Sequence, residues 1–182
     1  MSRALERAWQ AAQSGEVPVG ALVVRDGAIV GAGCNGTEGD QDPTAHAEMI
    51  AIRQAAEAIG SRRLQDTALY VTLEPCAMCA GAIVLARIPR LFFGACDPKA
   101  GACGTLRDVV RDRRLNHTCE VVGGVLESEC AGLLREFFSD LRSERSAVRR
   151  GARVVEGGGL ENRCGLHGHR GFESHPLRHP ER

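Results

Sequence analysis

Hydrophobic positions change their period along this chain, and each change marks an element. Over residues 2–14, Leu5, Ala8, Trp9 and Ala12 recur at helical spacing. That pattern predicts an amphipathic helix with these four on its buried face, ended by Gly15. Two apolar runs, Pro18–Val24 and Ala28–Gly33, flank Asp26-Gly27. Such a pair accepts positive φ, so the three pieces predict a β-hairpin. Residues 35–42 form a polar loop. Asp42-Pro43 then reads as a helix start, because Asp caps free N–H groups and Pro fits the first turn. The second helix is expected from about Thr44 to Ile59, with Gly60 stopping it. Ala68–Leu73 predicts a short buried strand, and Pro75-Cys76 opens a third helix that runs to about Ala86. A strand over Arg90–Ala95, a loop over Pro98–Gly104 and a helical turn over Leu106–Val110 follow. Glu120–Val122 is a weak strand. A last helix is expected from Glu127 to about Arg145, with Cys130, Leu133, Leu134, Phe137, Phe138 and Leu141 as its apolar stripe. Helix, hairpin, then strand–helix alternation predicts a three-layer α/β/α sandwich on a mixed central sheet.

Beyond residue 150 the periodicity stops, and Gly, Arg and His dominate. The boundary is placed near 148–151, giving one domain over residues 1–150 and a disordered tail over 151–182. With 43% hydrophobic residues the first part has enough for a core. A formal net charge of +0 removes any global field toward nucleic acid, so basic surface must be local. No apolar run approaches membrane-spanning length. The N-terminus lacks the apolar core of a signal peptide, which leaves the cytoplasm as the expected location. The eight cysteines are scattered except for one pair at metal-binding spacing, which fits a reducing compartment.

That pair is Cys76 and Cys79, three apart at a helix start and hence on one face. A helix N-terminus favours negative charge and stabilises thiolates. With His46 the set is two thiolates and an imidazole, a soft donor set that suits zinc and leaves its fourth position open. Glu48 lies two residues from His46, and such residues point roughly 200° apart on a regular helix. The two therefore cannot both be ligands on one face. The reading works if His46 sits in the first turn and binds metal while Glu48 reaches the metal's water. Zinc lowers the pKa of bound water to about 7. The hydroxide would add to a ring carbon bearing an exocyclic amine, Glu48 would carry protons to the ring nitrogen and the amine, and ammonia would leave. A structural zinc site is the plainer alternative, with Cys96 or Cys103 as nominal fourth ligands; it leaves Glu48 unexplained.

Longer strings surround these motifs. They are Glu16-Val17-Pro18-Val19-Gly20-Ala21, Asp42-Pro43-Thr44-Ala45-His46-Ala47-Glu48, Tyr70 through Ala82, Phe93-Gly94-Ala95, Asp97-Pro98-Lys99-Ala100-Gly101 and Leu115-Asn116-His117. Together they resemble the bacterial tRNA-specific adenosine deaminases, of the cytidine deaminase-like fold, over about residues 3–145. The resemblance implies a homodimer that converts adenosine to inosine at the wobble position of an arginine tRNA. It assigns zinc to His46, Cys76 and Cys79, and proton transfer to Glu48. It puts Asn35 and the Ala47 backbone in the base pocket, with Asp97 and Lys99 on a loop that grips neighbouring nucleotides. An anticodon loop suits such an enzyme, because its bases are already partly unpaired and extruding one costs less than in a duplex. Cys96 stands where the family would have Arg, and the first helix is shorter than the family's.

RNA also requires cations. Arg107, Arg111, Arg113 and Arg114 form one cluster; Arg142, Arg145, Arg149 and Arg150 form another at the end of the last helix. The family's use of its last helix makes the second cluster the expected phosphate contact. Phe137 and Phe138 are read as core or dimer contact, His117 as structural or pocket-lining, and Cys34, Cys119 and Cys130 as small buried residues. In the tail, Cys164, His167 and His169 match no zinc-finger spacing. Gly171-Phe172-Glu173-Ser174-His175-Pro176 is what one reading frame yields across the T-arm of a tRNA gene. The expectation is a frame that runs into such a gene, with a basic RNA-binding tail as the alternative. The competing functions are a guanine or cytosine deaminase acting on free base, and a non-enzymatic zinc-stabilised RNA-binding module.

Overall fold

The computed structural model describes residues 1–155, with side chains through residue 147. Met1–Glu144 close into one compact unit, and Arg145 onward form a second, of which the described part is helical to Val155. The elements are α1 (Ser2–Gln13), β1 (Gly20–Arg25), β2 (Ala28–Cys34), α2 (Ala47–Ile59), β3 (Thr67–Leu73), α3 (Ala77–Ala86), β4 (Arg90–Ala95), β5 (Glu120–Val122) and α4 (Glu127–Val155). No described helix is long and apolar enough to cross a membrane.

The sheet is mixed, in the order β2-β1-β3-β4-β5. β1 pairs antiparallel with both β2 and β3, and β3, β4 and β5 run parallel. The β1–β2 turn is tight because Asp26 and Gly27 both take positive φ, 49° and 76°. Alternation along the strands divides the two faces. Ala21, Val23, Leu69, Val71, Leu91 and Phe93 join Ala47, Ala51 and Ala55 of α2 and Ala80 and Ile83 of α3 in the main core. Leu69, Ile83, Ile88 and Leu91 are wholly buried, each stabilising by about 1.5–3 kcal/mol. The opposite face carries Gly20 against α1 and Gly94 against Cys130 of α4. These are the three layers expected.

Small residues set how closely the helices approach. A Cβ at Gly31 or Gly33 of β2 would overlap the carbonyls of Ala51 and Ala47, so α2 lies directly on that strand. The same logic turns α1. Its buried positions are Ala4, Ala8 and Ala11, while Trp9 is 57% exposed. The expected face of Leu5, Ala8, Trp9 and Ala12 is therefore corrected by part of a turn. Gly20 brings β1 against the backbone of Ala4 and Ala8, so the face that carries these alanines turns inward.

Three further expectations are revised. α2 begins at Ala47, not Thr44. Asp42 accepts from the Thr44 N–H and hydroxyl at 2.7 Å each, capping a turn that precedes the helix. Leu106–Val110 is not helical; Cys103 and Asp108 bridge there in extended geometry. α4 continues past Arg145 to Val155. The tail beyond, including Cys164 and the stretch from Gly171, lies outside the described residues.

Candidate active site

The N-termini of α2 and α3 open at one end of the sheet, and the metal-type side chains sit at both. His46 is the residue before α2, extended at φ −74° and ψ 149°. Cys76 holds the same place before α3, at φ −71° and ψ 175°. Cys79 is buried in the first turn of α3. His46 Nδ1 lies 3.5 Å from Cys79 Sγ and 3.7 Å from Cys76 Sγ. The three donor atoms fall within 4.8 Å of one another. Tetrahedral zinc, with Zn–S about 2.3 Å and Zn–N about 2.0–2.1 Å, puts sulfur and nitrogen about 3.6 Å apart. The donor set therefore fits zinc in spacing as well as in chemistry. The extended backbone at His46 also removes the 200° difficulty, because His46 is not on the helix that carries Glu48.

Charge at this cluster points to a cation. The Cys76 thiol is drawn down to about 3 by the hydrogen bond from Cys79 and by His46. The Cys79 thiol is pushed up, because it donates to Cys76 and is buried beside Glu48. His46 is raised by its bond to Cys76. The two thiols thus lean on one hydrogen bond, and holding a metal would require both as thiolates.

Glu48 is 3% exposed. Burial raises its pKa, opposed by its own backbone N–H and by His46. It lines a cavity of about 210 Å³ together with Asn35, His46, Glu74, Cys76 and Asp97. Val17, Val19 and Leu73 supply apolar wall, and Thr37 and Ala100 complete the rim.

Two other buried carboxylates hold the walls, and the sequence reading missed both as site residues. Glu74, 2% exposed, accepts from the N–H of Asp97 (3.1 Å), Cys103 (3.0 Å) and Thr105 (3.0 Å), and from the Thr105 hydroxyl. Burial pushes its pKa up, but these donors win and its pKa is lowered. Glu16, 4% exposed, accepts from the N–H of Glu38 (3.0 Å) and Gly39 (2.6 Å), and from Asn35 Nδ2 (3.1 Å). Both stand inside strings already singled out. Their partners are 19–31 residues away, so no local pattern shows the contact.

The other expected residues separate by position. Asp97 borders the cavity, and its Oδ1 accepts from Lys99 N (2.8 Å) and Ala100 N (3.2 Å), closing its own loop. Lys99 does not line the cavity. It is exposed in a neighbouring groove of about 720 Å³ with Cys96, Arg135, Phe138 and Arg142. Val17, Leu73 and Asp97 are shared by both concavities. Ala47 opens α2 with its side chain wholly buried and does not line the cavity. Arg145 is exposed on α4; the side chains of Arg149 and Arg150 lie outside the described residues. In the first arginine cluster, Arg111 pairs with Asp108 at 2.8 Å and Arg114 with Asp112 at 2.6 Å. Phe137 and Phe138 meet edge to face, centroids 5.5 Å apart, and Phe138 is 42% exposed in the groove. His117 Nε2 meets the Ile88 carbonyl at 2.8 Å, a structural contact.

Comparison with known proteins follows the same lines. The family model of the MafB19-like deaminases matches residues 1–142. A tRNA-specific adenosine deaminase of Bacillus subtilis (strain 168) is 49% identical over 150 residues, spanning 82% of this chain and 93% of that protein. One from Haemophilus influenzae is 51% identical over 146 residues, spanning 80% and 84%. A solved structure from work on A-to-I editing by tRNA:A34 deaminases at the wobble position superposes with TM-score 0.71 at 46% identity, covering 74% of this chain and 97% of that one. A guanine deaminase of Bacillus subtilis superposes with TM-score 0.53 at 42% identity, covering 57% and 67%.

Proposed function

The chain belongs to the MafB19-like deaminase family, among the tRNA-specific adenosine deaminases, and from that premise we propose that it converts adenosine to inosine at the wobble position of an arginine tRNA. The observation that carries the chemistry is the His46–Cys76–Cys79 cluster, of which His46 and Cys76 line the same cavity as the buried carboxyl of Glu48. His46, Cys76 and Cys79 would hold zinc, which when bound brings the pKa of a water to about 7. Glu48 moves the protons: it accepts one from the attacking water and delivers it to the ring nitrogen, then takes the second from the new C6 hydroxyl and passes it to the amine, which leaves as ammonia as the C6 carbonyl forms. Desolvation suits it to this, because a raised carboxyl pKa brings it nearer to operating pH. Val17, Val19 and Leu73 exclude water from the base, and Asn35 supplies a polar contact.

The groove beside the cavity supports an RNA substrate. Lys99, Arg135 and Arg142 line it, and Phe138 offers a ring on which an unpaired base can stack. Asp97 lies between cavity and groove and shapes the loop that carries Lys99. Arg145, Arg149 and Arg150 would extend the phosphate contact along the last helix. We further assign the deaminase domain to residues 1–150, with the rest as a tail outside it. The protein works as a cytoplasmic homodimer, which light scattering on the purified protein tests.

The deciding experiment presents zinc-loaded protein with an arginine-tRNA anticodon stem-loop carrying a wobble adenosine, beside guanine, cytosine and free adenosine. Inosine in the stem-loop alone is the expected result. Conversion of free guanine alone would keep the zinc chemistry and move the substrate to the guanine deaminases, with which this chain shares part of its structure.

A further inference from the structure

Asn35 has two amide hydrogens, and both are used inside the protein. Nδ2 lies 3.1 Å from Glu16 Oε2 and 3.1 Å from Thr37 Oγ1. The Thr37 hydroxyl stands 3.4 Å from the same carboxylate oxygen, so it donates to Glu16 and accepts from Asn35. The other oxygen of Glu16 is occupied by the N–H groups of Glu38 and Gly39. Both Glu16 oxygens act as acceptors, so the nitrogen end of the Asn35 amide faces them. The oxygen end, Oδ1, is left toward the cavity that Asn35 lines. Among the described residues no hydrogen bond ends on it.

We propose that Glu16 is a positioning residue for substrate recognition: it holds the Asn35 amide nitrogen inward, so that Oδ1 faces the cavity and reads a hydrogen-bond donor on the bound nucleoside. This rests on the deaminase reading above. The ring nitrogens of an N9-linked adenine only accept. Adenosine in RNA donates from two places, its exocyclic amine and its ribose 2′-hydroxyl. Oδ1 is complementary to those and repels an acceptor.

Exchanging the two side-chain chemistries tests the idea. Glu16→Gln keeps the shape and an oxygen for the Gly39 and Glu38 N–H groups, but turns an amide toward Asn35. Asn35 must then flip and present its nitrogen to the cavity. We expect kcat/KM on the stem-loop to fall about tenfold or more, chiefly through KM, with little change in Tm. Asn35→Asp alone sets two carboxylates against each other and also loses activity. The double variant restores a donor at position 16 and an oxygen facing the cavity, and should recover to within about threefold of the parent. A Glu16→Gln variant with the parent's kcat/KM, or a double variant no better than the poorer single, would overturn the proposal. Stem-loops carrying 2′-deoxyadenosine or purine riboside, bound to protein that also carries Glu48→Gln so that the riboside is not hydrated, separate the two donors. The analogue that lacks the donor read by Oδ1 binds worse to the parent but not to Glu16→Gln; a penalty unchanged by Glu16→Gln for both also overturns it. If the parent deaminates no RNA, the functional reading fails, and amide orientation is read directly. The Asn35 side-chain protons should be protected from exchange in ¹⁵N spectra and lose that protection in Glu16→Gln; free exchange in the parent counts against it.

Discussion

Three carboxylates are buried around one cavity, and they do opposite things. Glu16 and Glu74, in the walls, are ringed by donors from loops distant in sequence. Glu48, on the floor, faces the His46–Cys76–Cys79 cluster, and burial raises its pKa where Glu74's is lowered. The shifts run in opposite directions because desolvation dominates at Glu48, whereas at Glu74 the hydrogen-bond donors together outweigh it. At Glu74 the donors favour the charged carboxylate and hold the backbone of Asp97, Cys103 and Thr105 in place. At Glu48 burial outweighs its backbone N–H and the Cys79 thiol, and the carboxyl is shifted toward its protonated form. Burial alone does not distinguish a wall carboxylate from one placed beside a metal-type cluster.

The comparison can be broken at either end. The largest effect is expected at the floor: Glu48→Gln should lower kcat by about 10²–10⁴-fold while zinc content and Tm stay close to those of the parent. His46→Ala should lose zinc and activity together. If Glu48→Gln lowered Tm instead, Glu48 would be another wall residue. The wall should answer in stability. Glu74→Ala leaves the N–H groups of Asp97, Cys103 and Thr105 without their acceptor, and urea melts should show a loss of about 3 kcal/mol or more. On the last helix, charge reversal at Arg142 and Arg145 should weaken stem-loop binding and flatten its salt dependence, the slope falling by about 0.7 for each phosphate no longer neutralised. An unchanged slope would remove the last helix from the RNA interface. The smallest effect is at His117, where Ala should cost about 1 kcal/mol for the bond to the Ile88 carbonyl and leave zinc content unchanged.

Features governed by neighbours along the chain were legible. Asp26-Gly27 marked the hairpin, Gly60 ended α2 with φ 70°, and Glu120–Val122 formed the strand its apolar pattern allowed. His46, Cys76 and Cys79 could be expected to meet, because metal-type donors are restricted in residue type and spacing, and the fold brings their donor atoms within 4.8 Å of one another. Features governed by distant partners were not legible. Asp42 carries the signal of a helix cap, yet the chain needs one more turn to deliver His46 extended to the cluster. Trp9 was expected on the apolar face of α1 with Leu5, Ala8 and Ala12, but the close approach of Gly20 turns Ala4, Ala8 and Ala11 inward instead. The loads on Glu16 and Glu74 come from loops up to 31 residues away, and charge in a sequence reads as surface until those loops are placed.

The packing of α2 on β2 has a consequence for heredity. Every amino acid except glycine adds at least a methyl group, so every missense change at the codons for Gly31 and Gly33 drives a carbon into the helix that follows His46. In a library of all single substitutions selected for activity, these two positions should come back empty, while Ile29 and Ala32 on the same strand tolerate many residues. Such a pair of blank rows would trace the outline of α2 from genotypes alone.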